Sequence, residues 1–167
     1  RERYVKTRKL EMGIQSVQGL NGTCSGAEHN PFIALLRPNA NEDRGQVYGF
    51  NLVYSGNFLS QVEVSTFEMT RVMLGVHPEH FSYCLREGES FQTPEALLAF
   101  SENGLNGLSH IFHHFMKNRL MHSKWKKEVR PILLNNWEAT FFDFTEEKIL
   151  QIAKKAKEVG AELFVLD

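Results

Sequence analysis

The sequence predicts a mixed fold: antiparallel β-sheets in layers over residues 1–104, then a helix, then a strand, helix and strand that open a parallel α/β sheet or barrel. Three observations carry this prediction. Residues 1–104 hold runs of β-forming side chains broken by turn residues at short intervals. From Leu105 the apolar spacing changes to three and four. From Pro131 to Asp167 two short unbroken apolar runs flank an amphipathic stretch.

Taken in order, the clearest early element is a hairpin. Tyr48, Phe50, Leu52 and Tyr54 alternate with Val47, Gly49, Asn51 and Val53, Ser55-Gly56-Asn57 supplies turn chemistry, and Phe58 to Val64 returns. Apolar groups on both faces place these strands inside a sandwich or between layers. Phe67 to Val76 and Glu95 to Ser101 are predicted as further strands, separated by the turn residues Glu87-Gly88-Glu89-Ser90 and Thr93-Pro94. Leu105, Leu108, Phe112, Phe115 and Arg119 then mark the stripe of a helix of about four turns. The polar, basic stretch His122 to Arg130 has no sustained period and is the predicted domain boundary.

After Pro131, Ile132 to Leu134 has the pattern of a parallel strand covered on both faces. Asp143 or Thr145 can cap the next helix, Glu146 and Glu147 suit the positive end of its dipole, and Ile149, Ile152, Ala153, Ala156 and Val159 form its stripe up to Gly160. Leu163 to Leu166 is a second predicted buried strand. The expected organisation is a sheet domain over 1–104, a connecting helix and linker over 105–130, and a strand–helix–strand unit over 131–167.

The 167 residues are 42% hydrophobic and 23% charged, a globular composition, and 19 Lys plus Arg against 20 Asp plus Glu leave no electrostatic footprint for nucleic acid. No apolar run approaches the roughly 20 residues of a bilayer span, so no membrane partner is expected. Two cysteines, Cys24 and Cys84, are too few for a disulfide scaffold; reduced thiols, Cys84 in the core between Tyr83 and Leu85, and a reducing compartment are expected. The chain opens on Arg1 and closes on what reads as an interior strand, which leads us to expect a segment of a longer protein.

Substrates of parallel α/β folds sit at the carboxyl ends of the strands, which here offer Asn135, Asn136 and Trp137 from the first strand and Asp167 from the second. All four can face one cavity. An indole face suits the apolar side of a sugar ring, and Asn and Asp suit its hydroxyls. A purely structural reading of the same spacing has Trp137 plugging a barrel mouth and Asp167 capping a following helix. His110, His113 and His114 share one helical side, yet no HExxH pattern, cysteine or carboxylate accompanies them, and His29, His77, His80 and His122 read as turn or surface residues; neither a metal nor a cofactor is expected. Neither thiol lies in a nucleophile motif, and there is no Gly-x-Ser-x-Gly elbow. Asn103-Gly104-Leu105-Asn106-Gly107 fits no phosphate-binding spacing and is read as a turn into the helix; Lys124-Trp125-Lys126-Lys127 is read as a solvated linker.

Several motifs carry more than spacing. Arg44 to Phe58 (RGQVYGFNLVYSGNF), Gly88 to Glu95 (GESFQTPE), Gly104 to Gly107 (GLNG), Arg130 to Thr140 (RPILLNNWEAT), Phe142-Asp143-Phe144 and Glu162 to Asp167 (ELFVLD) resemble, in order and across essentially the whole chain, the bacterial α-galactosidases of glycoside hydrolase family 36. One departure is Phe81-Ser82-Tyr83-Cys84, where the family often has tryptophan after Phe-Ser. The resemblance implies a cytoplasmic enzyme, commonly a homotetramer, with an N-terminal β-supersandwich, a central (β/α)8 barrel and a C-terminal β domain. This chain would span the later supersandwich and the first βαβ unit of the barrel. It implies that Trp137 lines the sugar pocket and that Asp167, the first member of an Asp-Asp-Gly-Trp motif, binds galactose hydroxyls.

The family is retaining, with its nucleophile in a Lys-x-Asp motif that this chain lacks; two carboxyls roughly 5 to 5.5 Å apart are required for double displacement. The resemblance therefore implies a parent that hydrolyses terminal α-galactosides such as melibiose and raffinose, and a chain that alone has no catalytic residue and no turnover. The competing readings are a non-catalytic carbohydrate-binding or assembly module, against which the unfinished βαβ unit argues, and another barrel enzyme such as a phosphate-binding isomerase.

Overall fold

The computed structural model describes residues 7–22 and 29–167; Cys24 lies outside the described residues. The chain divides into two compact units, Arg1–Phe115 and Met116–Asp167.

The described residues of the first unit form six strands and one helix: β1 (Gly13–Gly19), β2 (Phe32–Leu36), β3 (Val47–Val53), β4 (Phe58–Val64), β5 (Thr70–Val76), β6 (Glu95–Ser101) and α1 (Gly104–Phe115). They form two antiparallel three-stranded sheets, ordered β1-β4-β5 and β2-β3-β6. The expected pairing of Val47–Val53 with Phe58–Val64 is not found, because β3 and β4 belong to different sheets. Turn chemistry marks where the chain reverses, and here Ser55-Gly56-Asn57 carries it from one sheet to the other. Asn57 serves the end of the β1-β4-β5 sheet, accepting from Gly22 N through Oδ1 at 2.7 Å and from His77 N through its carbonyl at 3.0 Å. The tight hairpin instead joins β4 to β5. There Ser65 N donates to Met69 O at 2.9 Å, Ser65 Oγ accepts from Phe67 N and Met69 N, and Glu68 takes a left-handed φ of 59°. Phe67 thus lies in the turn, exposed, and the strand predicted from Phe67 starts at Thr70.

Among the described residues, Val47, Leu52, Phe58, Val62, Leu108 and Phe112 are buried apolar side chains of this unit. Helix α1 lies on β3 and β6, and Gly49 is what lets it approach: a Cβ there would stand 2.6 Å from Phe112 Cε2 and 2.9 Å from the Leu108 methyls. Phe32 meets Phe112 edge to face at 5.6 Å. The helix N-terminus is satisfied by backbone carbonyls, with Leu105 N on Asn41 O at 3.0 Å and Asn106 N on Glu42 O at 2.8 Å. Gly104, with φ of 65°, accommodates that close loop, which accounts for the glycine-rich turn read from the sequence.

Two expectations for this unit are corrected. Cys84 is exposed, not core, because the whole stretch 78–93 runs at the surface. His77 is buried, not a surface residue: Nδ1 accepts from Glu79 N at 3.1 Å, which leaves Nε2–H to face Gln18 Oε1 at 3.2 Å, so both ring nitrogens are partnered.

The second unit opens with a π-helical turn, Met116–Leu120, and a 3-10 turn, Lys124–Lys126, within the stretch read as linker. Strand β7 (Leu133–Asn135) pairs in parallel with β8 (Leu163–Val165), and α2 (Trp137–Thr140) and α3 (Glu146–Glu158) lie between them in the chain. The expected strand, helix and parallel strand are present; α2 was not foreseen. Thr145 caps α3, its hydroxyl accepting from Lys148 N at 3.4 Å, and Gly160 ends the helical stretch with φ of 92°. The predicted burial is not realised. Leu133 and Leu163 are about half exposed, and Val159, expected in the buried stripe, is 81% exposed; the second unit by itself supplies no layer to cover them. Of that stripe only Ala156 is fully buried.

Candidate functional site

The carboxyl ends of β7 and β8 form the candidate site. Parallel pairing sets Asn135 opposite Val165, so the next residues of each strand emerge side by side. Asn135 turns the chain into α2: its Oδ1 accepts from Trp137 N at 2.7 Å, while its Nδ2 donates to Asp167 Oδ2 at 2.8 Å. Asp167 N in turn donates to Asn136 Oδ1 at 2.8 Å, and Asn136 N to Val165 O at 3.3 Å. Four hydrogen bonds thus stitch this edge.

The sequence placed Asn135, Asn136, Trp137 and Asp167 around one cavity. The structure brings Asn135, Asn136 and Asp167 into direct contact, but Asn136 is wholly buried and cannot line a cavity. Its Nδ2 donates to Thr140 Oγ1 at 2.8 Å, a partner one turn further along α2. Thr140, itself buried, is the residue that sequence reasoning missed. An Asn and a Thr four positions apart share one helical face, a signal readable only once a helix is assigned to Trp137–Thr140. Trp137 is half-buried, with Phe141 and Phe142 edge-on to its indole at 5.4 and 4.9 Å. Asp167 is exposed. One of its oxygens holds Asn135, and a carboxylate has acceptor capacity for further donors such as hydroxyls.

A groove of about 440 Å³ in this unit is lined by Leu134, Gln151, Ile152, Lys155, Ala156 and Val159. It runs along α3 and includes none of the four predicted residues. His110 and His113 are exposed on α1, and among the described residues no three His, Cys, Asp or Glu side chains gather in a way that could hold a metal ion. No helix among the described residues is long and apolar enough to cross a membrane.

Two antiparallel sheets are followed in the chain by a parallel strand pair that carries amide, indole and carboxylate side chains at its carboxyl ends, the order of elements of a chain that passes from a β domain into an α/β domain. Family models place it further. Residues 1–86 match the glycosyl hydrolase family 36 N-terminal domain, and residues 90–167 match the melibiase family. The chain belongs to glycoside hydrolase family 36. It is 50% identical to alpha-galactosidase AgaA of Geobacillus stearothermophilus over 167 residues, all of this chain and 23% of that protein. It is 45% identical to alpha-galactosidase Mel36A of Lactobacillus acidophilus over 166 residues, 99% of this chain and 22% of that one. The crystal structure of AgaA matches with a TM-score of 0.90 over 100% of this chain and 23% of its own. Structures of variants of that enzyme hold raffinose and stachyose. The chain spans less than a quarter of the length of these relatives, and its sheets and strand pair match the family's N-terminal sandwich and the start of its catalytic domain.

Proposed function

We propose that this chain belongs to a retaining α-galactosidase that removes terminal α-galactosyl residues from galactosides such as raffinose, and that it contributes part of the sugar pocket without the reacting carboxylates. Trp137 stacks on the apolar face of the galactose ring, and Asp167 accepts from its hydroxyls. The observation that carries this reading is the Asn135–Asp167 bridge, which fixes the aspartate beside the indole-bearing turn at the carboxyl ends of two parallel strands. Residues 131–167 are then the opening βαβ unit of a (β/α)8 barrel, residues 1–104 the later part of a β-supersandwich, and residues 105–130 the connection. The exposed apolar side chains Leu133, Leu163 and Val159 favour this, since barrel strands are covered by later helices and strands. A cytoplasmic homotetramer is part of the same reading, supported by the family resemblance.

The test is kinetic. In the complete enzyme, Trp137→Ala should lower kcat/KM on p-nitrophenyl α-galactoside by about ten- to a hundredfold, the loss of a buried aromatic contact in a binding pocket. The 167-residue chain alone should release no p-nitrophenol. Unchanged kinetics of the variant would remove Trp137 from the pocket, and turnover by the purified chain would place the catalytic pair within it.

A further inference from the structure

We infer that the buried Asn136–Thr140 pair is a positioning unit that sets Trp137 and Asp167 relative to each other; the inference rests on the proposed function, which makes those two residues the sugar contacts. Both members are polar and both are buried, Asn136 completely and Thr140 at 5% exposure, in a unit where much larger apolar side chains stand in solvent. Burying an amide and a hydroxyl is costly unless each is partnered, and here they are partnered in a directed chain. Asn136 Oδ1 accepts the backbone N–H of Asp167, and Asn136 Nδ2 donates to Thr140 Oγ1, both at 2.8 Å. The Thr140 hydroxyl, with one proton to give, faces Asn136 O at 3.2 Å and Phe141 O at 3.3 Å.

The last of these contacts reaches a strained residue. Phe141 has φ of 48° and ψ of −125°, a region that side-chain-bearing residues rarely occupy and that persists only where the surroundings enforce it. That backbone turns the Phe141 ring against the Trp137 indole, and Phe141 N closes the turn on Trp137 O at 2.7 Å. From the aspartate to the indole the path therefore runs through Asp167 N–H, the Asn136 amide, the Thr140 hydroxyl and the Phe141 backbone. Neither Asn136 nor Thr140 is open to touch sugar; each acts through its neighbours.

The experiment compares Thr140→Val with Thr140→Ser in the complete enzyme, each normalised to folded protein. Valine keeps the shape and removes the acceptor for Asn136 Nδ2; serine restores it. Thr140→Val should raise KM for p-nitrophenyl α-galactoside about tenfold, the weight of one buried hydrogen bond. Thr140→Ser should return KM to within about twofold of wild type, as expected if the hydroxyl alone matters. Should the valine variant fail to fold, Thr140→Ala takes its place, since it removes the same acceptor without setting a methyl group against the buried Asn136 amide. A folded Thr140→Val or Thr140→Ala with wild-type KM and only a lowered Tm would overturn the proposal, as would a serine variant as impaired as valine. A parallel Trp137→Ala separates the two readings. If it is impaired while Thr140→Val is not, the positioning unit falls and the pocket stands. If Trp137→Ala is also unchanged, the pocket assignment falls and takes the positioning unit with it.

Discussion

The two units of this chain hold themselves together by different means. The first buries Val47, Leu52, Phe58, Val62, Leu108 and Phe112, so its order is the ordinary result of apolar area removed from water. The second fully buries one apolar side chain, Ala156, and two polar ones, Asn136 and Thr140. Its apolar residues Ile132, Leu133, Leu163 and Val159 lie open, and its specific contacts are hydrogen bonds gathered at the strand ends. The difference teaches where each unit's information lies. Sheet packing defines the first, whereas in the second the polar stitching around Asn135, Asn136 and Asp167 defines the shape, and hydrogen bonds contribute only about 1 kcal/mol each once water is counted.

The strongest way to break this contrast is Phe58→Ala. The ring is fully buried in β4, the central strand of its sheet, and its removal should cost about 3 to 5 kcal/mol. Urea unfolding monitored by far-UV circular dichroism should show the loss in the transition of the first unit. A change under about 1 kcal/mol would mean that the sheet is not held by its apolar interior.

What the sequence made legible follows the same division. Features set by neighbours in the chain were readable: the Thr145 cap, the Gly160 stop, the α1 stripe through Leu108 and Phe112, and the glycine-rich entry at Gly104. Pairing between strands was not, because the pattern of Val47–Val53 and Phe58–Val64 is the same whether the two form a hairpin or cross between sheets. Exposure failed for a related reason. Cys84, Val159 and Leu133 have apolar character, but whether anything covers them depends on distant polypeptide. At the candidate site, Trp137 and Asp167 are candidates from strand-end logic and family resemblance, and the structure shows where they sit, Asp167 bonded to Asn135. The burial of Asn136 was not legible, since its partner Thr140 becomes visible only with the short helix α2.

A milder test sharpens the second unit. Thr145→Ala removes the side-chain acceptor for Lys148 N at the start of α3 and should cost about 1 kcal/mol, the usual weight of a helix cap. With so little apolar burial behind it, that loss should appear as faster amide exchange through α3 while the strands of the first unit keep their protection. Equal acceleration in β3 and β4 would mean that the two units unfold as one, and the contrast drawn here would not describe the chain's energetics.

The smallest expected effect has the opposite sign. Ser60 sits in β4 between Phe58 and Val62 on the same inward face, opposite Val17 and Leu74 in the paired strands, and is 1% exposed. Among the described residues its hydroxyl has no hydrogen-bond partner. A desolvated hydroxyl with nothing to replace its water is a cost carried by an otherwise apolar layer. Ser60→Ala removes that cost and a single heavy atom, so the cavity penalty and the polar relief nearly cancel, with relief the larger. The first unit should gain about 0.5 kcal/mol, read as a rise in the urea midpoint at unchanged slope. A loss of comparable size would show that the hydroxyl is bonded in solution, and the inner face of β4 would then hold a polar anchor like the one at Asn136.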